Sequence, residues 1–275
     1  MIATNLLTGH QQVPMRSARG NGGMGRRELL AATAAAGAVG LAGCLGGDGA
    51  VGEPVIGSDR IDEWELLDST EGLAFAADAG PITFEAHQHT VLYERSDVAA
   101  ALSETFGTDA SAVLFFASRI DLRPGVDRLP FGIARDRIVS EVVSSADETF
   151  RSELRESGLE DVRHEETGSI DIESGHTATR LRYSARVEMN GEVERPENST
   201  ESLTGTVVLE AQLAVWHDGE NVLVAGAAYP TERITDTFEA TGIPGDSEEL
   251  LENDALATDP EEFAEEAETL LVSVA

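Results

Sequence analysis

The chain has 275 residues, with 51 acidic side chains against 19 basic ones and a formal net charge of −32. All of its cations are arginine, since lysine is absent. That balance argues against nucleic acid as a partner, because a basic footprint is what holds a phosphate backbone, and a single cysteine excludes an internal disulfide framework or a Cys-rich metal cluster.

Arg26 and Arg27 stand directly before the apolar run Leu29–Gly43, LLAATAAAGAVGLAG, which ends in Leu41-Ala42-Gly43-Cys44. The run is shorter than the roughly 20 residues that cross a bilayer core. A basic flank, a short apolar stretch and small residues at its end form the layout of a signal peptide. The arginine pair and the Leu-Ala-Gly-Cys end resemble a twin-arginine (Tat) lipoprotein signal, with Gly25 where Ser or Thr is usual and Leu29 where Phe is usual. The resemblance implies cleavage after residue 43 and a lipid on the Cys44 thiol. The expected organisation is therefore a cleaved signal over 1–43, a lipidated flexible tether over 44–59 with four glycines between 45 and 54, a folded domain over 60–244, and an acidic C-terminal segment with a terminal helix over 245–275. A single acyl-type anchor binds a membrane only marginally, so stable attachment needs a second contact. The expected location is the extracellular face of the cell membrane.

After removal of residues 1–43 the chain keeps 15 arginines against 50 acids. Such self-repulsion opposes compaction in dilute buffer, whereas at about 1 M salt the Debye length falls to about 3 Å and the penalty fades. Acid excess without lysine resembles the proteome of a salt-in halophilic archaeon.

Along the domain, residues 55–79 show no clear period. Ile82, Phe84 and Ala86 alternate, and His87-Gln88-His89 leads into Val91-Leu92-Tyr93, a strand pattern. Ser96 can cap a helix closed by Gly107. Residues 112–122 read as a buried strand. From Arg135 to Ser157 apolar residues Ile138, Val142, Ala146, Phe150 and Leu154 recur at i+4, and Gly158 falls at the C′ position. Beyond residue 162 the period is two, with Asn190-Gly191 as a turn signal and Asp218-Gly219 joining strands 203–216 and 222–229. Asp259-Pro260 opens a terminal helix. This order predicts an α+β fold: an antiparallel sheet with one long helix and shorter helices packed on one face. Over roughly residues 80–235 the helix, Gly158, Leu159-Glu160-Asp161-Val162, the paired strands and the run Val222–Pro230 resemble a family of uncharacterised haloarchaeal Tat lipoproteins. The arrangement is also similar to the PsbP/Mog1-like fold.

Candidate chemistry is sparse. His87 and His89, two apart on a strand, share a face and could chelate a metal with Glu85 or Glu94; the plainer reading is a polar strand. Arg180, Arg182 and Arg186 form a cationic stripe able to receive a carboxylate or phosphate, or simply to pair with Asp171, Glu173, Glu188 or Glu210. Asn198-Ser199-Thr200 is a glycosylation sequon. Nucleophile elbows, P-loops and dinucleotide fingerprints are missing from the sequence. The expectation is a non-enzymatic binding module without cofactor, its partner an unidentified protein or small molecule. The alternative is a metal- or anion-binding accessory protein that uses the histidines or the arginine stripe.

Overall fold

The structure, a computed structural model, describes residues 50–79, 82–106, 111–123, 132–156, 158–195, 199–239 and 253–275. Arg26, Arg27, Cys44 and Asn198 lie outside the described residues. A 3₁₀ turn (Asp59–Glu63) leads into β1 (Trp64–Ala79) and β2 (Ile82–Arg95). Then come α1 (Ser96–Phe106), β3 (Leu114–Arg123), α2 (Gly132–Glu156), β4 (Glu160–Asp171), β5 (Thr177–Arg195), β6 (Ser199–His217), β7 (Asn221–Pro230), α3 (Ile234–Glu239) and α4 (Pro260–Val272). All seven strands join one antiparallel sheet in the order β1-β2-β3-β7-β6-β5-β4.

The expected α+β class is thereby corrected to a mainly β protein, with 51% strand and 29% helix among the described residues. Two physical causes explain the difference. The edge strands are poorly covered: Leu66 and Leu73 on β1 stay about half exposed, so no period marks β1 in the sequence, and β4 buries only Val162. The central strands are also longer than their turn residues suggest. Asn190-Gly191 makes no turn, because β5 runs on in unbroken register with β6 from Thr179↔Val215 to Arg195↔Ser199. A continuous partner outweighs local turn propensity.

The helices cover both faces of the sheet, not one. Alternation separates two clusters. Leu181, Tyr183, Leu213, Val215, Ile120 and Val224 pack with Val142 and Phe150 of α2. Phe115, Ala117, Trp216, Leu223, Ala225 and Ala227 pack with Phe263, Ala267, Leu270 and Leu271 of α4. Helix α2 ends in the backbone pattern its sequence announces: Gly158 has φ +87°, its amide donates to Arg155 O (3.0 Å), and the Leu159 amide donates to Leu154 O (3.0 Å). Helix α4 is capped by Asp259, whose Oδ1 accepts from the Glu261 amide (3.1 Å).

The segment entering the domain is docked on the α4 face from Val51 onward. The Val51 amide donates to Glu71 Oε1 (2.8 Å), and Val55 exchanges backbone hydrogen bonds with Ala275 (2.9 and 2.8 Å). A largely buried network ties α4 to the start of β1 and to the junction of β2 with α1. Arg95 donates to Asp97 (3.0 and 3.1 Å) and to Glu266, while Trp64 Nε1 donates to Glu266 Oε1 (2.9 Å). Burial pushes the Glu266 carboxyl above its ordinary range, against the pull of Trp64 and Arg95.

Candidate functional site

Between α2 and the sheet lies a cleft of about 200 Å³. Strand alternation builds its floor: Leu92 on β2, Phe116 and Ile120 on β3, Leu213 on β6 and Val224 on β7 all point to the α2 side. Its roof is the i+4 stripe Val142, Ala146, Phe150 and Leu154. The Phe116 and Phe150 rings meet across it at 5.8 Å, and Phe150 continues to Tyr183 at 5.4 Å. The Tyr183 hydroxyl donates to Asp147 Oδ1 on α2 (2.7 Å), which pins the helix at this distance from the sheet. Burial first, then that bond to Asp147, push the Tyr183 phenol far up.

Polar groups enter the cleft from two sides. Gln88 and Thr90 are i, i+2 neighbours on β2, and Thr90 stands opposite Ser118 of β3 in the sheet register. The Thr90 hydroxyl donates to Ser118 Oγ (2.9 Å), and Ser118 is only 5% exposed. On the helix side Ser145, Thr149 and Glu153 form the rim. Among the described residues of the lining, Glu153 is the one charged group, and no His, Cys, Lys or Arg stands with it. The arrangement can bind an apolar body and hydrogen-bond a polar group; it offers no nucleophile–base pair.

The residues singled out in the sequence lie elsewhere. His87 and His89 do share a face, but it is the α4 side of the sheet. Both nitrogens of His89 are engaged: Nδ1 donates to Val51 O (3.2 Å), leaving Nε2 to accept from Ser69 Oγ (2.9 Å). His87 Nε2 contacts Glu85 Oε2 at 3.1 Å. Glu94, the other oxygen ligand considered, faces the opposite side of β2 and is fully buried, its Oε2 accepting from Ser111. Among the described residues no group of three His, Cys, Asp or Glu could hold a metal ion.

The arginine stripe is paired internally, and with partners other than those expected. Arg180 reaches Glu268 of α4 (3.2 Å), Arg182 donates to Glu166 of β4, and Arg186 reaches Asp161 (3.4 Å). The hydrogen bond from Arg182 holds the exposed Glu166 carboxyl below its usual range.

Sequence reasoning assigned Val142, Ala146, Phe150 and Leu154 to a buried stripe and passed over Gln88, Thr90 and Ser118. A signal existed: Ser118 is in phase with Phe116 and Ile120, so a hydroxyl sits at an inward position of a buried strand.

Sheet, two helical covers and an apolar cleft under one of them define a mainly β protein. Residues 53–275 match the family described as "Domain of unknown function (DUF6517)", and the chain belongs to that family. No curated protein and no solved structure matches it. The family match carries no link to Tat lipoproteins or to PsbP/Mog1-like proteins. Among the described residues no helix is long and apolar enough to cross a membrane.

Proposed function

We propose that this protein is a lipid-anchored, non-enzymatic binding protein of the extracellular membrane face in a halophilic archaeon, and that it holds a small molecule in the cleft between α2 and the sheet. The cleft carries the reading: apolar floor and roof, a few convergent polar groups, and no residue pair suited to acyl or phosphoryl chemistry. The Tat-type signal and Cys44 support the location. The metal- or anion-binding alternative draws little support, because His89 and all three arginines of the stripe already have protein partners.

Xenon, which enters dry apolar cavities, tests the cleft. A ¹²⁹Xe chemical-shift response is expected from the wild type, and it should vanish in Ala146→Phe, whose ring fills the space. A wild type that gives no response refutes the cleft as a site. For the anchor, Cys44→Ser should move the protein from the membrane to the soluble fraction; unchanged partition refutes lipidation.

A further inference from the structure

The cleft's lining also constrains the charge and the head group of what it takes. We propose that its ligand is a small neutral molecule with a ring-sized apolar body and one carbonyl oxygen, and that Ser118 and Gln88 donate to that oxygen; this rests on the cleft being the ligand site. Size comes first: about 200 Å³ is somewhat more than the roughly 150 Å³ apolar void that accommodates benzene. It suits one ring with a short substituent and falls below the 300–1,000 Å³ typical of drug-sized ligands.

Charge comes next. An anion within the cleft meets no cationic side chain among the described residues of the lining, so its desolvation goes uncompensated. A cation meets one carboxylate, Glu153, at the rim and none among the described residues of the floor, so it too would shed its water there without a charged partner.

The head group follows from the donors. Ser118 accepts from Thr90, so its own O–H proton is directed elsewhere, and Ser118 is buried at the floor. Gln88 lies one alternation further along β2, opposite Ile120, and brings two amide donors to the same end. A hydroxyl and an amide offered from neighbouring positions of the floor suit a carbonyl oxygen, which has two lone pairs. The slot's opposite wall is made of Phe116 and Phe150, whose paired rings suit a flat body.

Four isosteric probes separate these features in the full chain: ethylbenzene, acetophenone, benzoate and benzylamine, titrated by methyl NMR in molar KCl. Acetophenone is expected to bind about threefold to tenfold more tightly than ethylbenzene, as one or two net hydrogen bonds allow. Benzoate and benzylamine should bind at least about tenfold more weakly than acetophenone. Ser118→Ala should shrink the preference for acetophenone to what the Gln88 amide alone supports, while leaving ethylbenzene affinity in place, a pattern that general destabilisation does not produce. If ethylbenzene binds but either charged probe equals acetophenone, or if Ser118→Ala leaves the preference intact, the head-group assignment is overturned while the cleft stands as a site. If neither these probes nor xenon binds, the assignment and the binding reading beneath it both fall.

Discussion

A Cβ on Gly226 would stand 2.4 Å from Cε1 of Phe116 and 2.8 Å from the Gln212 carbonyl oxygen. The bare backbone of β7 therefore lets the Phe116 ring lie on the sheet as the cleft floor. Gly226→Ala is expected to cost about 1–3 kcal/mol by overpacking, read from denaturant unfolding in molar salt; an unchanged midpoint would show that Phe116 relaxes freely. The tyrosines give a pH prediction at the same scale. Burial is the largest cause of upward displacement for Tyr93, Tyr183 and Tyr229, the only three in the chain. Tyr183 and Tyr229 also donate to carboxylates, Asp147 and Glu210. A folded pKa above the unfolded value near 10 means that the native state keeps the proton longer. Stability is then whole below pH 10 and is lost as pH rises beyond it. Phenolate absorbance should accompany unfolding and not precede it, and Tyr183→Phe should flatten part of the alkaline loss. Phenolate forming in the still-folded protein near pH 10 would contradict this.

At the scale of elements, legibility followed burial. The β6–β7 hairpin was readable because its alternating residues are covered and its turn is chemically specified: Gly219 has φ +109°, and Asp218 Oδ1 accepts from the amides of Glu220 (2.8 Å) and Asn221 (2.7 Å). Burial tends to raise the Asp218 carboxyl, but those bonds hold it below its usual range. Asp218→Ala should lose about 1–3 kcal/mol at neutral pH, since two bonds to a charged acceptor disappear. The depressed pKa makes this contribution present above the unfolded carboxyl value and lost as pH falls through the folded one, so the gap to wild type should narrow in acid. A gap independent of pH, measured by denaturation from neutrality downward, would count against the role of the charge. Edge strand β1 could not be read in this way, since Leu66 and Leu73 stay about half exposed and a strand without a covered face has no periodic pattern to show. The cleft was illegible for another reason: its walls come from β2, β3, β6, β7 and α2, and only the sheet order brings them together.

Over the whole molecule, charge and packing pull in opposite directions. A net charge of −32 repels itself, and ion pairs such as Arg180–Glu268 and Arg186–Asp161 are too exposed to offset much of that. Circular dichroism should show the strand signal weakening as molar KCl is dialysed to dilute buffer; identical spectra would remove the case for salt adaptation. Within the folded body, α4 and the entering segment close one side of the sheet while α2 stands off the other just far enough to leave the cleft. A crystal structure of the protein with acetophenone tests this account most directly. Density in the cleft against the Phe116 and Phe150 rings, with the carbonyl oxygen within hydrogen-bond reach of Ser118 Oγ, is the predicted result. A cleft left empty at saturating acetophenone, or density only on the α4 side, would contradict it.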